Sequence, residues 1–162
     1  MTSINPYSKI SSQNTNHFRW FHVDDDLDDL DIYKLMIAET APAITLESFT
    51  SSIDLIRRLN SLENIPRLIL IDLNMPVMDG FTCLKHVKIL PHIKDFTRLV
   101  MLSTSSDKEL ISQCHGAGAH FYAIKPSDPK AVKALILKLV EIANTDYKWP
   151  IAKKQFLLND LL

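Results

Sequence analysis

The chain has 162 residues, 46% of them apolar, and its 18 basic and 19 acidic side chains leave a net charge of -1. That length suits one domain with a tail at each end, and the balanced charge excludes a global basic field for nucleic acid. Cys83 and Cys114 do not form a CxxC pair, which favours two reduced, partly buried thiols.

Met1 to Asn16 is rich in Ser, Asn and Thr and lacks the apolar stretch of a signal peptide. Residues 1–16 are therefore expected to form a disordered leader, with the domain proper over 17–145. No apolar run approaches the ~20 residues a membrane-spanning helix needs. A soluble, cytoplasmic protein is expected, with neither a membrane nor a nucleic acid as partner.

Phe18 to Val23 reads as the first strand, although Arg19 and His22 interrupt it. Asp26 to Glu39 follows as a helix, with Leu27, Leu30, Tyr33 and Ile37 at helical spacing. Ala43 to Phe49 is the second strand, and Ser52 to Leu62 the second helix, with Ile53, Ile56 and Leu59 on one face. Arg67 to Leu73 holds Leu-Ile-Leu-Ile-Asp, an apolar run that suits a central strand covered on both faces. Phe81 to Leu90 is the third helix, stopped by Pro91.

Leu99 to Ser103 is the fourth strand. Ser106 and Glu109 have capping-box spacing and open a fourth helix that ends near Gly116. Ala119 to Ile124 is the fifth strand. Asp128 followed by Pro129 starts a last helix, whose buried stripe is Val132, Leu135, Leu139 and Ile142. The segment 146–162 carries Trp149, Ile151, Phe156, Leu157, Leu158, Leu161 and Leu162. That is too much apolar surface for a free tail, so it is expected to dock on its own domain, with partner binding as the alternative.

Five strands alternating with five helices predict an α/β domain with a parallel sheet and right-handed crossovers. In such a sheet, ligands bind beyond the carboxyl ends of the strands, where the strand order reverses. The polar residues there are Asp24 and Asp25, Asp72, Ser103 and Thr104, and Lys125. Three carboxylates facing one cleft repel each other, and one lysine cannot neutralise them. A divalent cation is the natural remedy, and a small, oxygen-only, partly hydrated site favours Mg²⁺ over a Ca²⁺ cage. The same arrangement prepares one carboxylate to attack phosphorus.

Other residues read more plainly. Asp28, Asp29 and Asp31 suit a solvated helix start near the positive end of the dipole, and Asp26 belongs with them or caps the helix. Asp79 before Gly80 reads as turn and cap chemistry. The six histidines lack metal-site spacing, and Met75, Met78 and Met101 suit packing.

The run IDLNMPVMDG, Ile71 to Gly80, resembles the phosphoacceptor segment of receiver domains in two-component signalling. VDDD at Val23 to Asp26 is similar to that family's acid pair, LST at Leu102 to Thr104 to its hydroxyl-bearing strand end, and IKP at Ile124 to Pro126 to its Lys-Pro. All four occur in the family's order, over about Phe18 to Asn144.

The resemblance implies a CheY-like, flavodoxin-like (βα)5 fold, a doubly wound five-stranded sheet in the order 2-1-3-4-5. It implies Asp72 as the phosphorylated residue. Asp25 and Asp72 would hold Mg²⁺ directly, Asn74 through its backbone carbonyl, and Asp24 mainly through water. Lys125 and Ser103, with Thr104 as the alternative hydroxyl, would contact the phosphoryl group. Tyr122 falls at the switch-aromatic position, though a tyrosine there also suits amphipathic filling. A cis peptide before Pro126 is implied as well.

The expected partners are a sensor histidine kinase or phosphotransfer protein upstream and a protein target downstream. The expected chemistry is that of a signalling phosphoacceptor with only slow self-dephosphorylation, and a single-domain regulator, since only a short tail follows Asn144. A phosphorylation-independent pseudo-receiver is the nearest alternative. A haloacid-dehalogenase-type phosphatase is a third, disfavoured because its second aspartate would fall where Asn74 stands.

Overall fold

The computed structural model describes residues 19–61, 65–93, 96–146 and 150–161. The leader 1–16, Phe18, Leu62, Trp149 and Leu162 lie outside the described residues.

Leu68–Asp72 (β3) is buried at all five positions, as its continuous apolar run requires of a strand with helices on both faces. It lies at the centre of a parallel sheet ordered β2-β1-β3-β4-β5, in which β1 is Arg19–Val23, β2 Thr45–Phe49, β4 Arg98–Ser103 and β5 Phe121–Ile124. The expected strand order and parallel doubly wound architecture are thus present. The helices are α1 (Leu27–Thr40), α2 (Ser52–Asn60), α3 (Gly80–Lys88), α4 (Lys108–Gly116) and α5 (Pro129–Asn144), followed by one turn, α6 (Lys153–Phe156), and a short 3-10 turn. Among the described residues no helix is long and apolar enough to cross a membrane.

Strand alternation divides the core into two layers. Phe21, Val23, Ile69, Ile71 and Met101 pack with Leu55, Leu59, Leu84 and Val87 of α2 and α3. Trp20, Leu68, Leu70, Val100 and Leu102 pack on the other side with Tyr33 and Ile37 of α1 and Leu135, Ile136 and Leu139 of α5. Cys83 and Cys114 are free, buried thiols, and burial pushes both up to about 11.

Helix starts follow side-chain capping. Asp26, Ser51, Asp79 and Asp128 each accept a backbone N–H at the first turn of α1, α2, α3 and α5, which satisfies donors the helix leaves orphaned. The capping box expected from Ser106 is not formed. Asp107 is the cap of α4 and accepts from the Glu109 N–H, while Ser105 Oγ accepts from the Asp107 N–H. The fifth strand also starts two residues later than its apolar run suggests. Ala119 still bonds back to Cys114, and Gly118, at φ +90°, makes the turn between them.

Candidate functional site: an acidic pocket around one lysine

β1, β3 and β5 run parallel, so their carboxyl ends open on the same side of the sheet. β1 delivers Asp24, whose N–H extends the pairing to the Phe49 carbonyl at 3.0 Å. Its carboxylate is buried, with Oδ1 accepting from the Asp26 N–H at 3.0 Å and Oδ2 from Lys125 Nζ at 2.7 Å. β3 delivers Asp72, 4% exposed, whose Oδ2 accepts from the Asn74 N–H at 3.0 Å. Lys125 follows β5, its own N–H held by the Ser103 carbonyl at 2.7 Å, and its Nζ lies 2.6 Å from Asp72 Oδ1.

The N-terminus of α3 comes close beneath the loop that follows Asp72. The Gly80 N–H bonds the Leu73 carbonyl at 3.0 Å, and a β-carbon at Gly80 would run into the Asp72 carbonyl oxygen. Only glycine allows that approach.

Asp29 also belongs to this constellation. Its Oδ2 accepts from Lys125 Nζ at 2.8 Å. The expectation of a merely solvated helix start is corrected here, because the first turn of α1 faces the pocket. An ammonium has three N–H groups, and here they have Asp24, Asp29 and Asp72 as acceptors. Burial alone would lower the Lys125 pKa, but the hydrogen bonds it donates to these three carboxylates outweigh it and hold the ammonium well above its usual value. Burial raises the Asp24 carboxyl, against the hydrogen bonds from Lys125 and the Asp26 N–H.

Asp25 is exposed at the mouth of the pocket, and one oxygen each from Asp24, Asp25 and Asp72 lie within 4.8 Å of one another. One ammonium among Asp24, Asp25, Asp29 and Asp72 leaves excess negative charge. The donors are all oxygen and one side is open to water, which fits a hard divalent cation such as Mg²⁺.

Ser103 is buried beside the pocket and its Oγ accepts from the Ser105 N–H at 3.1 Å. Thr104 is exposed, so of the two hydroxyls Ser103 is the one turned inward. Asn74 has an exposed side chain, with its backbone beside Asp72. Tyr122 is fully buried, and its hydroxyl donates to the Ser105 carbonyl at 2.8 Å. Burial pushes its phenol up, opposed by a hydrogen bond with Ser103.

His22 is a second residue that sequence reasoning missed. It is buried behind the acid pair, with Nε2 3.8 Å from Asp24 Oδ2 and its ring 4.9 Å from that of Tyr33. Burial, helped by the Lys125 charge, pushes it down to about 3, so it is neutral at pH 7. Its only signal in the sequence is a polar residue inside the first strand.

Comparison with known proteins places this pocket in context. A family model described as the response regulator receiver domain matches residues 21–137. Chemotaxis protein CheY of Bacillus subtilis is 33% identical over 76 residues, covering 47% of this chain and 61% of that protein. Two-component response regulator ORR1 of Oryza sativa subsp. japonica is 37% identical over 68 residues, 42% of this chain and 29% of that protein. The uncharacterized transcriptional regulatory protein YhcZ of Bacillus subtilis is 33% identical over 86 residues, 53% of this chain and 37% of that protein. The matched segment thus spans about a third of the length of YhcZ and ORR1.

Among solved structures, the phosphorylated cyanobacterial phytochrome response regulator RcpA superposes with a TM-score of 0.69 at 22% identity, over 83% of this chain and 99% of that one. CheY4 of Vibrio cholerae gives 0.64 at 24% identity, over 75% and 97%. At those identities the two structures speak to the fold alone. The match over residues 21–137 covers well over half of the sequence, and the chain belongs to the response regulator receiver domain family.

Proposed function

We propose that the protein is a signalling phosphoacceptor, a response regulator receiver that takes a phosphoryl group on Asp72 from a histidine kinase or phosphotransfer protein. The observation that carries this reading is the Lys125 ammonium, 2.6 Å from Asp72 Oδ1 and 2.7 Å from Asp24 Oδ2. An uncompensated carboxylate pair would not otherwise be buried together.

In the proposed step, a lone pair on an Asp72 carboxylate oxygen forms the new O–P bond. The P–N bond to the donor imidazole breaks, and its electron pair stays on that nitrogen. Asp24, Asp25 and Asp72, with the Asn74 carbonyl, are the proposed Mg²⁺ ligands. Bound there, Mg²⁺ supplies positive charge to the peripheral phosphoryl oxygens. Lys125 gives up its bond to Asp72 Oδ1 and donates to a phosphoryl oxygen instead, and the Ser103 hydroxyl donates to another. Hydrolysis by water returns the carboxylate and inorganic phosphate, so the chemistry resets a signal rather than turning over a metabolite. A cytoplasmic setting suits the two buried free thiols.

Acetyl phosphate with Mg²⁺ tests the reading by mass spectrometry. The wild-type protein gains one phosphoryl group, lost again in hydroxylamine, and Asp72→Asn gains none. Label retained in Asp72→Asn would move the acceptor elsewhere. No label in wild-type protein would leave only an interaction module.

A further inference from the structure

The outer edge of β5 is covered by the chain's own end. Leu157 forms a parallel bridge with Tyr122. The Asn159 side chain accepts from the Ile124 N–H at 2.6 Å and donates to the Ile124 carbonyl at 3.1 Å. An asparagine amide offers an acceptor and donors like those of a peptide, so Asn159 gives Ile124 what a sixth strand would. Left open, such an edge is a template for other chains.

Apolar side chains grip both faces of that edge. Phe156 joins the core layer on the α4 side of the sheet, its ring centroid 4.9 Å from that of His115 and 6.4 Å from that of Tyr122. Ile151 and Leu158 enter the opposite layer, against α5. His115 Nε2 lies 2.8 Å from the Ile151 carbonyl oxygen and fixes the start of the segment on α4.

The segment also reaches the pocket. Ile124, pinned by Asn159, directly precedes Lys125. Tyr122, backed by Phe156, donates to the Ser105 carbonyl, and the Ser105 N–H donates to Ser103 Oγ. Residues 156–159 thus hold Lys125 through one intervening residue, Ile124, and Ser103 through two, Tyr122 and Ser105.

We propose that residues 150–161 are a strap, bound in cis across α4, β5 and α5, whose hold is coupled to what occupies the pocket. A phosphoryl group on Asp72, or a mimic of it, tightens the strap; the docked strap in turn braces Tyr122 inward and keeps Ser103 and Lys125 set for that group. The inference rests on Asp72 being the acceptor. Coupling of this kind is reciprocal, and its two-state element is the strap, docked or lifted. Lifting exposes Ile151, Phe156 and Leu158 together, so the segment leaves as a unit.

The test uses the full chain with Mg²⁺, with and without beryllofluoride, a phosphoryl mimic. Amide exchange over 151–159 should slow at least about fivefold when beryllofluoride binds. Reciprocally, Phe156→Ala should weaken beryllofluoride binding about tenfold, and Asn159→Ala by a smaller factor, with Mg²⁺ affinity unchanged in both. If Phe156→Ala fails to fold by circular dichroism, Asn159→Ala, which removes no core side chain, carries the test. Wild-type protein that binds beryllofluoride with unchanged exchange in the strap, and variants that bind it as tightly, would overturn the coupling while leaving Asp72 as acceptor. Wild-type protein that does not bind it at all would remove both.

Discussion

Asp29 reaches from the first turn of α1 to Lys125, 96 residues further along the chain, and their charged groups meet at 2.8 Å. The Asp29 side chain is a third exposed, so solvent screens the pair and its worth is small. Asp29→Asn should lower stability in urea by about 0.5 kcal/mol and leave acetyl phosphate labelling of Asp72 in place. A loss of labelling in this variant would make Asp29 part of the acceptor chemistry rather than a third anchor for the ammonium.

Asp24 carries a pH signature. Burial lifts its folded-state pKa above the unfolded value, despite the hydrogen bonds that oppose the shift. As pH rises, the unfolded chain releases this proton first, so stability that Asp24 contributes in acid is lost from about pH 4 upward. Asp24→Asn keeps an acceptor for the Asp26 N–H and removes the buried charge. Lys125 keeps Asp29 and Asp72 as acceptors, and the variant loses a charge that burial and the neighbouring Asp72 disfavour. In EDTA at neutral pH it should therefore be the more stable protein, with the difference shrinking toward pH 3. Added Mg²⁺ should then stabilise wild-type protein more than the variant, since only a bound ligand contributes this way. Equal urea midpoints across pH would contradict the assignment.

Much of this was legible because the strongest sequence signals are also the most constrained positions. Leu68 to Asp72 can only be a strand covered on both faces, and the acids, Ser103 and Lys125 sit where such a strand set must end. Asp29 was hidden because a charge run at a helix start looks the same whether it faces water or a lysine brought in from the fifth strand. Asp107 took the capping role from Ser106 because Ser105 holds the Asp107 N–H, a one-residue choice between two good capping types. His22 and Asn159 act through burial and edge pairing, and neither leaves a periodic trace.

Val77 stores strain in the loop between Asp72 and α3. Its φ is 66°, and its side chain is 96% exposed, so a β-branched residue sits in the left-handed region with no packing in return. Val77→Asn relieves the clash with a side chain that tolerates this region. The unfolding free energy from urea titration should rise by about 1 kcal/mol with an unchanged slope. No gain would mean that the loop adopts another backbone in solution.

Lys125 is the cation that offsets the buried Asp24 and Asp72 carboxylates. Lys125→Ala leaves Asp24 and Asp72 buried with no partner charge, and removing one member of a buried ion pair costs about 3 kcal/mol. The folded-state pKa of Lys125 is raised, so its contribution is fully present below the unfolded lysine value of about 10.4 and is lost as pH climbs through the folded one. Wild-type stability should therefore fall in alkali above that point, while Lys125→Ala, already destabilised, should lack this step. Mg²⁺ should still bind the variant, more tightly if anything because a competing cation is gone, and should recover part of the lost stability. Phosphoryl transfer to Asp72 should be retained in form, but beryllofluoride should not slow exchange around Ser103. A variant whose loop responds as wild-type protein does would take Lys125 out of the coupling and leave it as a charge-balancing residue only.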